Sequence, residues 1–346
     1  MASSRARRRG ILLGTLAAGA AAGLAVERYV VGRDRRRPDP EAREPFGDLH
    51  GRTETVESFD GTGLHVEVFD GTGPTIVFAH GFSLNLGMWH YQMRDLPPGC
   101  RVVVYDQRGH GRSEKAKRGD WSLEALARDM EAVVRAHGGP DPVVIVGHSM
   151  GGMTTMKFCE VFPELIGSRV AAIALVNTTA IDVMGGMLPG AARRLAAGFQ
   201  MVQAGTVRAL ASNANRVDRL RGRMRDLSYV SVRWAGLGPK ALPSVVGFMD
   251  QMLSECPTDV WAHMLPDLLA LDVTKVLDVI DVPTLIVAGT HDKLTPPGAA
   301  DRIAAAIKGA ELAVINDAGH MSPLERPHSF NARLRAFLAA VPALRH

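Results

Sequence analysis

The stretch Val143-Val144-Ile145-Val146-Gly147-His148-Ser149-Met150-Gly151-Gly152-Met153 decides how the rest of the chain reads. Four β-branched apolar residues in a row predict a short buried strand. Gly147 to Gly151 is a G-x-S-x-G pentapeptide, and Met153 to Val161 reads as a helix. Strand, tight turn and helix in that order are the setting in which this pentapeptide holds a nucleophilic serine. The turn brings strand and helix so close that the residues two before and two after the serine must lack side chains. Gly147 and Gly151 meet that demand, and Gly152 adds room. The first amides of the helix keep no carbonyl partner and can meet an anion.

Working outward, other apolar runs repeat the pattern. Thr53 to Phe69 reads as a hairpin turning at Asp60-Gly61-Thr62-Gly63. Thr75 to Ala79 is a buried strand that runs into His80-Gly81-Phe82, and Arg101 to Tyr105 opens into Asp106-Gln107-Arg108-Gly109-His110. Asp106, Arg108 and His110 read as turn-fixing scaffold, and His80 as a structural hydrogen-bonding group. Leu123 to Ala136 has one apolar face and predicts a helix. Val170 to Val176 is a strand; from Ile181 to about Leu265 the chain reads as helices without β-branched runs. Pro283 to Ala288 and Leu312 to Ile315 are strands, and Pro327 to Leu338 is a closing helix. Strands alternating with helices predict an α/β fold, a mainly parallel twisted sheet covered by helices on both faces. Functional residues should gather at the carboxyl ends of its strands.

A serine hydroxyl needs an adjacent base, and the base needs an orienting acid. Ser149, Asp292 and His320 each lie just past an apolar strand. Asp182 and Asp317 compete for the acid's place, and His291 and His328 for the base's. The elbow, the His80-Gly81 turn and the order Ser-Asp-His together resemble the α/β-hydrolase superfamily, in its serine-hydrolase branch of lipases and esterases. The resemblance runs from about Val56 to the C-terminus, with a variable stretch in the middle. It implies a hydrolase core at 46–180 and 266–346 with a helical cap inserted at 181–265. It also implies an oxyanion hole from the amides of Phe82 and Met150, and ester hydrolysis through an acyl-enzyme without metal or cofactor. Related epoxide hydrolases and haloalkane dehalogenases carry aspartate at the elbow, so Ser149 argues against both. Thioester or lactone hydrolysis, C–C bond hydrolysis and cofactor-free perhydrolase or haloperoxidase-like chemistry stay open. Met184, Met187, Phe199, Met201 and Met252 give the insertion a soft apolar side that suits a lipophilic acyl chain.

With 346 residues, 46% of them hydrophobic, the chain can build one large α/β domain plus an insertion. A net charge of +4, with no Cys/His cluster, P-loop or aromatic-basic strip, does not point to nucleic acid. Three widely spaced cysteines, Cys100, Cys159 and Cys256, do not make a disulfide framework. Arg5, Arg7, Arg8 and Arg9 precede an uncharged run from Gly10 to Val26, and Arg33, Arg35, Arg36 and Arg37 follow it. The run falls short of the roughly 20 apolar residues of a bilayer span. Residues 1–45 therefore read as a leader outside the fold, an export signal of twin-arginine type or a membrane anchor, ending in a polar linker from Pro38 to Pro45. A small-molecule ester or lipid is the expected substrate, with a membrane surface as a possible partner.

Overall fold

The computed structural model describes residues 28–95, 99–139, 141–181, 212–221 and 225–344. Its apolar runs form one eight-stranded sheet: β1 (Arg52–Glu57), β2 (Gly63–Phe69), β3 (Thr75–Ala79), β4 (Arg101–Tyr105), β5 (Val143–His148), β6 (Val170–Val176), β7 (Thr284–Gly289) and β8 (Glu311–Ile315). The order across the sheet is β1-β2-β4-β3-β5-β6-β7-β8. The β1–β2 and β2–β4 pairs are antiparallel, and every pair from β4–β3 to β7–β8 is parallel.

Side-chain alternation divides the core in two. Ile76, Phe78, Val144, Val146, Leu285 and Val287 pack into one cluster, whereas Val77, Ile145, Ile173 and Ile286 pack into the other. Helices α1 (Leu123–His137), α2 (Met150–Val161) and α5 (Pro297–Ala306) cover the second of these faces; α6 (Pro327–Ala340) covers the first, and α3 (Pro243–Glu255) adds apolar side chains to the same cluster. Ser122 caps α1 by accepting the Ala125 amide at 3.1 Å. The strand order reverses around β3, which has β4 on one side and β5 on the other. Such a reversal opens a crevice beyond the carboxyl ends of the two strands, where a ligand site belongs.

The loop after β4 is scaffold, as its charges suggest. Arg108 is fully buried and grips Asp129 with two bonds of 2.6 Å, Asp60 at 3.2 Å and the Asp120 carbonyl at 2.7 Å. Asp106 accepts the amides of Leu86 and Arg112, each at 2.8 Å. Removing one member of a buried ion cluster strands the others without a counter-charge, so Arg108→Met is expected to destabilise the protein by about 3–5 kcal/mol in urea unfolding.

Two regions differ from expectation. Residues 28–45, expected to lie outside the fold, are packed on it from the start of the described chain. Val31 is buried, the Tyr91 hydroxyl donates to Glu41 at 2.5 Å, His90 Nε2 meets Glu44 at 2.7 Å, and the Ser244 amide donates to Asp39 at 2.7 Å. The acidic residues that read as a polar linker are docking groups, with donors on the core for Glu41 and Glu44 and on α3 for Asp39. Residues 1–27 lie outside the described residues, among which no helix is long and apolar enough to cross a membrane. The expected insertion falls partly on 182–211 and 222–224, outside the described residues, and Met184, Met187, Phe199 and Met201 lie there too. Its described part contains helices Ala214–Arg221 and Arg225–Ser231, a π-helical turn at Val232–Gly236, α3, and the start of α4 (Thr258–Leu269). A bridge between Ile181 and Asp272 brings the two ends of this excursion together.

Candidate active site

Ser149 sits at the tip between β5 and α2 with φ 51° and ψ −115°, a left-handed conformation unfavourable for a residue with a side chain. The two flanking glycines make that turn possible. A methyl group built at Gly147 would lie 2.4 Å from the Gly151 carbonyl oxygen, and one built at Gly151 would lie 2.2 Å from that of Ala79. The turn is anchored by the Ser149 amide donating to Val176 at 2.9 Å, and by the Thr178 hydroxyl donating to the Ser149 carbonyl at 2.7 Å.

The turn after β3 presses against this elbow. His80 accepts the Gln107 amide on Nε2 at 2.9 Å, which leaves its proton on Nδ1 for the Gly81 carbonyl at 2.8 Å. The Gln107 side chain donates to the His80 carbonyl at 2.6 Å and accepts from Thr154 of α2 at 3.1 Å. Burial and the neighbouring His110 hold the His80 imidazole well below its ordinary range, so it stays neutral and works as a latch. The amides of Phe82 and Met150 donate to no other described residue. A methyl group at Gly81 would come within 2.8 Å of His148 Nδ1, which shows how closely the two turns meet.

Asp292, past β7, and His320, past β8, are joined by a 2.9 Å hydrogen bond from Nδ1 to Oδ2. Oδ2 also accepts Asn177 at 2.9 Å and the Thr295 hydroxyl at 2.7 Å; Oδ1 accepts the amides of Leu294 and Thr295, both at 2.9 Å. Burial pushes this carboxyl up, but the charge and hydrogen bond of His320 and the Thr295 donors outweigh it and hold Asp292 at about 2. His320 Nε2 bonds to no described residue, nor does the Ser149 hydroxyl. The imidazole is tied to the elbow through its neighbour: His148 Nε2 donates to the His320 carbonyl at 2.8 Å, and the two rings are 4.9 Å apart between centroids.

Three of the four rival acids and bases are described, and each has other surroundings. Asp317 is at the surface, paired with Lys240 at 2.8 Å, and Asp182 lies outside the described residues. His291 is exposed with Nδ1 on the Thr290 hydroxyl at 3.0 Å, and His328 is exposed on α6. Among the described residues no group of His, Cys, Asp or Glu side chains is placed to hold a metal ion.

Four supporting residues were not singled out in the sequence: His148, Asn177, Thr295 and Glu325. Asn177, directly after the apolar run of β6, bridges Asp292 and the Gly319 carbonyl and accepts the Ser322 hydroxyl at 2.5 Å. Its place at a strand's carboxyl end was the available signal. Glu325 is buried and accepts the amides of Gly238, Gly319 and Met321 at 2.7, 2.9 and 3.1 Å, so it clamps the turn on both sides of His320. Burial pushes its carboxyl up to about 7 against the pull of these amides. A raised carboxyl resists ionisation in the folded state, so its contribution is fully present below about 4.5 and is lost as pH rises toward 7. Glu325→Gln is expected to flatten that decline in a series of thermal melts across this range.

The sequence pattern of the alpha/beta hydrolase fold family matches residues 74–327. The chain belongs to this family. This α/β hydrolase is 30% identical over 269 residues to the pimeloyl-[acyl-carrier protein] methyl ester esterase of Nitrosospira multiformis, spanning 77% of the chain and 94% of the relative. It is 26% identical over 266 residues to 3-oxoadipate enol-lactonase 2 of Acinetobacter baylyi, spanning 77% and 88%. Its fold superposes on a thermophilic esterase from Thermogutta terrifontis with a TM-score of 0.66 at 25% identity, covering 84% of this chain and 99% of the other. The protein is thus a hydrolase of α/β fold.

Proposed function

We propose that this hydrolase cleaves carboxylic esters through an acyl-enzyme on Ser149, with His320 as base and Asp292 as its orienting acid. The observations that support the reading are the Asp292–His320 pair at 2.9 Å, its tie through His148 to the elbow, and the left-handed turn at Ser149. His320 Nε2 takes the Ser149 proton as the oxygen attacks the ester carbonyl, then returns it to the leaving alcohol. The amides of Phe82 and Met150 meet the oxyanion; one such donor is typically worth about 3–4 kcal/mol of barrier. His320 then activates the water that releases the acid. In this route no step is assigned to a metal or cofactor.

A lipophilic acyl group suits the apolar surroundings, where Phe82 stacks on Trp261 with centroids 6.2 Å apart. The methyl ester esterase relative supports the ester reading. Lactone opening is the second reading, favoured by the enol-lactonase relative, since a lactone is an ester whose alcohol stays attached. The uncharged run Gly10–Val26 between arginine clusters supports export or membrane association of the whole chain. A panel of p-nitrophenyl esters from acetate to palmitate, run beside a set of lactones, tests the substrate class. Turnover rising with chain length is expected; turnover confined to lactones would overturn the linear-ester reading, and none on either would overturn ester hydrolysis.

A further inference from the structure

We infer that the face built by helical residues 28–35 and the π-helical turn Val232–Gly236 lies on an anionic lipid bilayer. The inference rests on the reading of the chain as membrane-associated and names the surface that would make the contact. Tyr29 and Trp234 stand 64% and 63% exposed on this face, with Val30 beside them at 36%. A shallow groove of about 410 Å³ runs between the helix and the turn, bordered by Tyr29, Val30, Tyr229, Val230 and Trp234. Amphipathic rings of this kind favour the headgroup layer of a bilayer.

The charge fits the same partner. Residues 28–37 hold five arginines and a single acidic residue, Asp34. Asp34 is spoken for on the inner side by Arg37 at 2.9 Å, Arg233 at 3.4 Å and the Tyr229 hydroxyl at 2.9 Å. Arg28 and Arg33 are exposed on the helix and Arg36 on the turn that follows it, which leaves the outward field positive and complementary to lipid phosphate. The uncharged run Gly10–Val26 enters the helix with only Glu27 between them, so the most apolar part of the leader joins the fold at this face.

The face also borders the site. The Trp234 carbonyl accepts Lys293, next to Asp292, at 2.5 Å, and the Gly236 carbonyl accepts the His320 amide at 2.9 Å. A substrate leaving the bilayer here would emerge beside the proposed base.

The test uses the full chain with vesicles of phosphatidylcholine alone and of phosphatidylcholine with phosphatidylglycerol, each with brominated acyl chains that quench tryptophan. The chain is expected to float with the anionic vesicles and to lose tryptophan emission there. Trp234→Phe, at an exposed position, should remove most of that quenching, because Trp89 is fully buried and Trp121 and Trp261 are half-buried in the fold. Arg33→Gln with Arg36→Gln should weaken binding about 25-fold, roughly fivefold for each charge lost near the surface. Flotation with quenching unchanged in Trp234→Phe would overturn the face while leaving membrane association intact. Equal quenching on neutral and anionic vesicles would overturn the role given to charge, and failure to float on either would overturn face and association together.

Discussion

Ser149→Ala is expected to lower kcat for ester hydrolysis by about 10⁶-fold, the scale found when the nucleophile of a serine hydrolase is removed. The loss should fall on kcat and leave the fold intact. The Ser149 hydroxyl bonds to no described residue, whereas its backbone is held by Val176 and Thr178, and alanine keeps both of those bonds. Alanine at φ 51° also carries the same backbone strain as serine, so the melting temperature should move little. Circular dichroism melts beside steady-state kinetics separate the two effects. A drop of less than about 100-fold, far below what a nucleophile contributes, would mean that the bond is broken by another group.

Asp292→Asn is expected to reduce kcat by about 10⁴-fold with a small change in KM, because it turns the imidazole the wrong way. The carboxylate accepts from five donors: His320, Asn177 and Thr295 Oγ1 on Oδ2, and the amides of Leu294 and Thr295 on Oδ1. An asparagine must set its NH₂ against one of these groups of donors. If it faces His320, the ring is driven to the tautomer protonated on Nε2, which cannot accept the Ser149 proton. If it faces the backbone amides, the half-buried Leu294 donor and the buried Thr295 donor lose their acceptor, the buried one at about 1–3 kcal/mol. Stability follows with a defined sign. Asp292 is held at about 2 against an ordinary 3.8, so its stabilisation is present above 3.8 and fades as pH falls toward 2. Wild type and Asp292→Asn should therefore differ in unfolding free energy at neutral pH, and the gap should close in acid over that window. A constant gap would contradict the network assigned to this carboxylate.

What could be read from the sequence follows burial. The central strands β3, β5, β6 and β7 are buried along their whole length, and they appear as unbroken apolar runs. The elbow was legible because a close backbone approach leaves a mark, glycine at 147 and 151, and the contacts of 2.4 and 2.2 Å a methyl would make there explain that mark. Asp292 and His320 could be singled out by their place after strands, a property of topology. Asn177 supports the site through bonds to groups remote in sequence; Thr295 reaches Asp292 three residues back and Glu325 reaches Met321 and Gly319 four and six back, short-range contacts that no motif marks. Glu325 in particular is a carboxylate that contacts three backbone amides, and an amide carries no residue identity to search for. Residues 28–45 read as lying outside the fold for a related reason. Acidic side chains look solvated until their partners, Tyr91, His90 and the Ser244 amide, are known.

A crystal structure of the protein inhibited by an alkyl fluorophosphonate tests the central claim most directly. The account predicts phosphorus bonded to Ser149 Oγ, with the phosphonyl oxygen about 2.7–3.1 Å from the amides of Phe82 and Met150. His320 Nε2 should be within hydrogen-bond reach of the adduct, and its Nδ1 should remain on Asp292. An adduct on another residue, or His320 turned away from a modified Ser149, would contradict it.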